Sequence, residues 1–178
     1  MQNIILYYLV KALRYDVIFA KSYFRYMRLK FLLIILGFVV IISCDKEDIN
    51  PVPDVYFSIS IEIQNDPQFF YLRSQDNAME ILAGDLGLSN LGYANNGIII
   101  YNAGSNQFFA FDRTCPHDVH TKTAIELTDN NIATCPVCES KYVLPNEGIP
   151  SSGSESKYYL KRYKTQYNAS SGVLYVHN

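Results

Sequence analysis

Two short cysteine-bearing segments carry the residue types best suited to chemistry. In the first, TCPH, one residue separates Cys115 from His117, and in the second, TCPVC, two residues separate Cys135 from Cys138. Seventeen residues lie between the two pairs. Thiolate sulfur and imidazole nitrogen are ligands of zinc and of iron–sulfur groups. All four side chains are therefore candidate metal ligands.

A proline follows the first cysteine of each pair. Pro116 follows Cys115, and Pro136 follows Cys135. Proline fixes φ and removes a backbone donor, which stiffens a loop. Neighbouring N–H groups in such loops can point at sulfur and tune it. The two segments therefore predict a pair of rigid loops.

The segments around these loops have the composition of β-strands. They alternate apolar and polar residues or form short apolar runs, and 15 Tyr and 10 Phe favour pleated, half-buried surfaces. The predicted strands are VYFSISIEI (55–63), GIIIYN (97–102), QFFAFDR (107–113), NNIAT (130–134), SKYVL (140–144), YYLKRYKTQYN (158–168) and GVLYVHN (172–178). We therefore predict an all-β fold, a small sandwich or barrel of antiparallel strands.

Turn residues predict two hairpins within this set. Ala103-Gly-Ser-Asn and Ala169-Ser-Ser have the composition of hairpin loops. One segment does not fit the strand pattern, because LRSQDNAMEILAG (72–84) has the composition of a short helix.

The two loops resemble the ligand loops of Rieske iron–sulfur domains, which read C-x-H and C-x-x-H with a similar gap. The resemblance is specific across residues 111–144 and implies a Rieske-like fold with a [2Fe–2S] cluster. It assigns ligand roles to Cys115, Cys135 and His117. It also gives Ser140 the place of a hydroxyl that hydrogen-bonds cluster sulfur, and Tyr142 that of a nearby aromatic residue.

The second loop departs from the family pattern. Cys138 stands where the family has its second histidine, and Glu139 replaces the usual glycine. A cluster here would be held by three cysteines and one histidine, and the added thiolate charge would lower its reduction potential. Electron transfer through an unidentified redox partner is the function that this implies.

The residues alone leave two other uses of the cysteines open. Three cysteines and one histidine are also an ordinary ligand set of structural zinc. In an exported protein the cysteines can instead form a disulfide, and the domain would then be a non-redox binding or structural module. A disulfide would leave one of the three thiols of the mature domain unpaired.

The beginning of the chain has the pattern of an export signal. MRLK (27–30) is basic, FLLIILGFVVII (31–42) is an apolar run shorter than the roughly 20 residues of a membrane span, and Ser43-Cys44 follows. IISC resembles the lipobox of bacterial lipoproteins, which implies acylation of Cys44 by palmitate-type chains. We predict a signal peptide at 27–43 and an upstream extension at 1–26, with Met27 as the initiator.

The residues after Cys44 predict a tether to a lipid-anchored domain. Asp45-Lys-Glu-Asp, an acidic cluster, resembles the surface-export signal of lipoproteins of the Bacteroidetes type. Pro51 and Pro53 extend the tether to residue 54, and the domain is predicted at 55–178. The expected location is the outer membrane, on its periplasmic side or at the cell surface.

Charge and motifs exclude several functions. From Cys44 onward the chain has 9 Lys and Arg against 16 Asp and Glu, a net charge of −7. Nucleic-acid binding needs basic patches, so nucleic acid is excluded as a partner. The chain has no nucleophile-elbow spacing and no room for a second catalytic domain. We therefore expect an electron-transfer component and no catalysis by this chain alone.

Overall fold

The computed structural model describes Lys30 and residues 50–178. Residues 50–178 contain ten strands, all paired antiparallel, and their helices are short 3₁₀ helices. The prediction of an antiparallel all-β fold is confirmed. The strands are β1 (Ser58–Glu62), β2 (Ala78–Ile81), β3 (Ile98–Gly104), β4 (Gln107–Asp112), β5 (Glu126–Asp129), β6 (Ile132–Thr134), β7 (Lys141–Val143), β8 (Ile149–Pro150), β9 (Arg162–Asn168) and β10 (Val173–His177). The 3₁₀ helices are Pro67–Arg73, Ala83–Leu86, Tyr93–Asn95, Val119–Thr121 and Leu144–Asn146.

The strands form two sheets. Six strands pair in the order β1-β10-β9-β4-β3-β2, and four pair in the order β5-β6-β7-β8. The β3–β4 hairpin turns at Ser105 and Asn106, which both have positive φ. Two adjacent left-handed residues match the right-handed twist of the flanking strands, which accounts for the predicted hairpin at this position.

The central strands β3 and β4 are buried on both faces. Ile98 and Ile100 of β3 belong to one apolar core, whereas Ile99 and Tyr101 of the same strand belong to the other. A strand covered on both sides reads as a continuous apolar run, which is why this segment lacks the alternation of β1. The second core also contains residues of the four-stranded sheet, namely Ala133 and Tyr142, and the cysteines of both loops.

A charged pair links the two sheets. Glu80 on β2 accepts a hydrogen bond from the backbone N–H of Leu127 on β5, at 2.6 Å. Its second oxygen lies 2.7 Å from Nη2 of Arg113, whose Nε donates to the carbonyl of Ile125 at 3.1 Å. The Arg113 side chain is largely shielded from water, so the pair holds the start of the first cysteine loop against both sheets.

The predicted helix at 72–84 is wrong. Part of this segment is strand β2, in which Ala78 pairs with Tyr101 and Ile81 with Ile98. The 3₁₀ helix Pro67–Arg73 ends at Ser74, which has an extended conformation, and Asp76, with a φ of +61°, precedes the strand. Pairing with the central strand β3 therefore overrides the helix propensity of Ala, Met, Glu and Leu.

The predicted export elements lie outside the described residues. This applies to the extension at 1–26, to Cys44, and to the signal peptide apart from Lys30. Among the residues that the structure does describe, no helix is long and apolar enough to cross a membrane. One compact unit spans Ile49–Asn178, and the tether boundary at residue 54 stays a prediction.

Candidate metal centre

The first cysteine loop begins where β4 ends. The backbone N–H of Cys115 donates to the carbonyl of Thr123 at 2.9 Å, and Thr114 forms an isolated bridge with Ala124. The two ends of the loop are therefore paired with each other next to Cys115. This closure leaves Cys115 buried, with 2% of its surface exposed.

Asp112, the last residue of β4, holds this loop through a hydrogen bond to its backbone. It is fully buried, and its Oδ1 accepts the backbone N–H of Thr114 at 2.7 Å. Its Oδ2 accepts the backbone N–H of Tyr93 and the phenol of Tyr163, both at 2.6 Å. Burial and the Asp112 carboxylate raise the pKa of Tyr163, so the phenol keeps the proton that it donates.

The second cysteine loop joins β6 to β7 in a tight turn. The N–H of Cys135 donates to the carbonyl of Ser140 at 2.9 Å, and the N–H of Glu139 donates to the carbonyl of Cys135 at 3.0 Å. Glu139 has a φ of +56°, a left-handed conformation that favours glycine. The turn thus places a residue other than glycine in the left-handed region, directly before Ser140.

The two loops bring three sulfur atoms together. The Sγ atoms of Cys115, Cys135 and Cys138 all lie within 4.8 Å of one another, and those of Cys115 and Cys138 are 3.6 Å apart. Cys115 and Cys135 are buried and Cys138 is half-buried. These three described cysteines are free thiols. A disulfide needs a sulfur separation near 2.05 Å, so the 3.6 Å contact is not a disulfide.

Side chains from β7 and its flanks surround the sulfur atoms. The hydroxyl oxygen of Tyr142 lies 3.5 Å from Sγ of Cys115, and that of Ser140 lies 3.2 Å from Sγ of Cys138. Ser140 is fully buried and its Oγ accepts the backbone N–H of Ser156 at 2.9 Å. The Cys138 thiol donates to this same oxygen, so Ser140 links Cys138 to the backbone of Ser156.

The environments of the two loops act differently on their thiols. Burial raises the pKa of Cys115 to about 12, against smaller lowering effects of the Tyr142 phenol and the His117 backbone N–H. Burial also acts to raise the pKa of Cys138, but hydrogen bonds with the side chain and backbone of Ser140 and with the other two cysteines together outweigh it, so the pKa of Cys138 is lowered. Burial raises the pKa of Tyr142, which stays a phenol.

The imidazole of His117 is not part of the sulfur group. The side chain is exposed, and within residues 50–178 the group of mutually close ligand atoms contains Cys115, Cys135 and Cys138 alone. His117 contributes a backbone N–H to the sulfur of Cys115. Its role as a ligand stays a prediction, as do the roles of Ser140 and Tyr142, which both contact cysteine sulfur.

Two residues near the site were missed by sequence reasoning. Asp112 ends an otherwise apolar strand, and an acidic residue at such a place is a signal of a buried, hydrogen-bonded carboxylate. Ser156 lies in a polar segment, SSGSESK, that has no pattern pointing to the cysteines. Its contact with Ser140 depends on tertiary structure alone.

The donor set fits a thiophilic metal. Sulfur atoms bound to one tetrahedral ion at about 2.3 Å lie roughly 3.8 Å apart, close to the 3.6 Å between Cys115 and Cys138. A [2Fe–2S] cluster takes four ligands divided between two irons. The described group supplies three sulfur atoms, and His117 lies two residues after Cys115 in the chain. The cysteines can thus hold a metal, and the fourth ligand decides its type.

Comparisons with known proteins give limited information. No protein-family model matches the chain, and no curated protein matches it. One similar solved structure is described as an NADH-dependent nitrite reductase small subunit from Mycobacterium tuberculosis, at 8% identity and a TM-score of 0.38, covering 70% of this chain and 97% of that one. Another is from a complex of reduced oxygenase and oxidized ferredoxin in carbazole 1,9a-dioxygenase, at 19% identity and a TM-score of 0.34, covering 58% and 94%. Similarity at this level carries no information on activity.

Proposed function

We propose that the domain binds a [2Fe–2S] cluster in its two cysteine loops and transfers electrons as part of a bacterial envelope lipoprotein. The observation that carries the proposal is the grouping of Cys115, Cys135 and Cys138 from two separate loops. The side chain of His117 supplies the fourth ligand in this proposal. When bound, the cluster provides a one-electron carrier, and this chain's residues provide its ligands and its shielding from water.

The surroundings of the sulfur atoms support a redox role. Two ligands are buried in the second apolar core, whereas Cys138 is half-buried beside the exposed Val137, where an electron can enter or leave. The Tyr142 and Ser140 hydroxyls contact cysteine sulfur. Hydrogen bonds to sulfur raise the reduction potential of an iron–sulfur group, and they would offset part of the lowering caused by a third thiolate.

A single zinc ion is the second candidate. Three sulfur atoms within 4.8 Å of one another, with the histidine outside the group, also suit one tetrahedral ion. In that case water or His117 completes the site, and the metal stabilises the junction of the two loops. The domain would then be a structural or binding module without redox activity.

Metal analysis separates the two candidates. We expect protein produced with added iron and purified without oxygen to be coloured and to contain about two irons and two sulfides per chain. It should also give an EPR signal after reduction. Zinc at about one per chain without colour would establish the second candidate, and a metal-free protein with a disulfide would exclude both. Replacement of Cys138 by Ser should remove the visible absorption, and an unchanged spectrum would exclude Cys138 as a ligand.

We also propose that lipid on Cys44 anchors the chain to the outer membrane, facing the periplasm or the surface. The support is the IISC sequence after a basic and apolar segment. Mass spectrometry of the mature protein should find an acylated N-terminal Cys44, and Cys44→Ala should release the protein from membranes. A mature N-terminus upstream of Cys44 would contradict the proposal. The redox partner is an unidentified protein of the same compartment.

A further inference from the structure

The first described residues of the domain are held against its surface. Val52 is 1% exposed, and the side-chain amide of Asn50 donates to the backbone carbonyl of Tyr159 at 2.9 Å. Asp54 forms an ion pair with Lys161. The contacts of Asn50 and Asp54 therefore fix the course of the chain beside residues 159–161.

The length of chain between Asn50 and the proposed lipid is short. Residues 45–49 separate Asn50 from Cys44. A chain spans at most about 3.6 Å per residue, so the distance between these two Cα atoms is at most roughly 22 Å. If Cys44 is acylated, Asn50 and the residues that bind it lie close to the membrane surface.

A group of exposed residues lies where Asn50 meets the domain. Tyr158 is 48% exposed and Tyr159 is 43% exposed, and Lys157 beside them is also exposed. Tyr159 is the residue whose carbonyl binds Asn50. We call residues 157–159 the Lys-Tyr-Tyr patch.

The backbone of the patch is fixed on both sides. Ser156 is buried, and its Oγ accepts the N–H of Tyr158 at 3.2 Å and donates to the carbonyl of Tyr158 at 3.1 Å. Leu160 is 2% exposed, and its N–H donates to the carbonyl of Gly148 at 3.0 Å. Hydrogen bonds and buried side chains therefore fix the backbone on both sides of the patch, so its exposed side chains extend from an ordered segment.

We propose that the Lys-Tyr-Tyr patch lies against the lipid headgroups of the membrane to which Cys44 attaches the chain. This inference rests on the proposed acylation of Cys44. Tyrosine combines an apolar ring with a polar hydroxyl and is enriched at membrane interfaces. The lysine ammonium is attracted to anionic headgroups. The lipid on Cys44 thus brings the Lys-Tyr-Tyr patch to the membrane surface. Contact between the patch and the headgroups then fixes which side of the domain faces the membrane.

The absence of tryptophan from the sequence makes a direct test possible. We would introduce a single indole by Tyr159→Trp, and as a matched control by Tyr175→Trp, because Tyr175 on β10 is 42% exposed. Both full-length lipoproteins would be placed in vesicles of phosphatidylethanolamine and phosphatidylglycerol with a fraction of brominated phosphatidylcholine. We expect blue-shifted emission and roughly twofold stronger bromine quenching for Tyr159→Trp than for the control.

Flotation of the vesicles separates the outcomes. If the protein floats with the vesicles and both indoles are quenched equally, the patch does not contact lipid and the inference is wrong, while the anchor stands. If the protein does not float, or if Cys44→Ala floats equally well, the anchor proposal fails and the inference falls with it. A Lys157→Glu variant in the Tyr159→Trp protein should reduce the quenching without preventing flotation.

Discussion

The sulfur of Cys115 lies 3.6 Å from the sulfur of Cys138, although the two residues are 23 positions apart and belong to different loops. Cys138 is the second cysteine of the TCPVC segment, two residues after Cys135. A thiol there contacts the other loop directly, so the second loop contributes two sulfur atoms to one group. Among the described residues the group of close ligand atoms is thus made of thiols, and the exposed side chain of His117 is not part of it.

Removal of Cys115 should abolish metal binding. The side chain is the sole sulfur contributed by the first loop, so Cys115→Ala leaves two sulfur atoms. We expect metal affinity to fall by more than about a hundredfold. This exceeds the roughly 10- to 100-fold loss that is typical when a residue that hydrogen-bonds to a metal ligand is replaced. Metal content after dialysis against a chelator measures this. His120→Ala is the matched control, because His120 is an exposed residue of the same loop, and it should keep its metal.

Replacement of Asp112 by Asn should destabilise the domain. The carboxylate accepts hydrogen bonds from two backbone N–H groups and the Tyr163 phenol while fully buried. An amide offers one acceptor oxygen in place of two, so at least one donor stays buried and unpaired. We expect a loss of about 2–4 kcal/mol in the free energy of unfolding, measured by urea denaturation of the metal-free protein.

The comparison for this prediction is Tyr163→Phe. That change removes one donor and leaves the carboxylate bound to Thr114 and Tyr93, so the loss should be smaller, about 1–2 kcal/mol. An Asp112→Asn protein as stable as Tyr163→Phe would show that the backbone contacts of the carboxylate contribute little. In that case Asp112 would not be the anchor of the first loop.

Replacement of Glu139 by Gly should leave the domain equally or more stable. Glu139 adopts a φ of +56°, which glycine enters without strain, and it is exposed. Relief of strain is partly offset by the greater freedom of glycine in the unfolded chain, so we expect a gain of about 0–1 kcal/mol. Glu139→Val should cost more than about 1 kcal/mol, because a β-branched residue is strained at positive φ. Equal stability of the Gly and Val proteins would contradict this.

The sequence predicted those parts of the fold that depend on residues close to one another in the chain. Apolar runs and the hairpin composition between them predicted strands β3 and β4. The spacing of Cys115, Cys135 and Cys138 predicted that their side chains form one group. The segment around Ala78 was misread because its strand depends on pairing with Tyr101, a partner 23 residues away. The exposure of His117 and the contact between Ser140 and Ser156 likewise depend on tertiary packing, which spacing along the chain does not report.

The pairing of Tyr101 with Asp76 should make stability depend on pH in the alkaline range. The phenol donates to Oδ1 of Asp76 at 2.8 Å, and burial together with this carboxylate raises the pKa of Tyr101 from 10.0 to about 12. Below pH 10 the folded and unfolded chains both keep the proton, so the contribution is complete. Between about pH 10 and 12 the unfolded chain loses the proton first, and stability falls by about 1–2 kcal/mol in total, because water partly screens the hydroxyl.

Urea denaturation of wild-type and Tyr101→Phe proteins between pH 9 and 12 measures this contribution. The variant lacks the titrating group, so its stability should decline less steeply, and the difference between the two proteins should shrink as the pH rises. Other buried tyrosines, such as Tyr142 and Tyr163, titrate in both proteins and cancel in the difference. Tyr175→Phe, which changes an exposed ring, should follow the wild type. Parallel declines of wild type and Tyr101→Phe would mean that the Asp76 contact does not hold the proton on Tyr101.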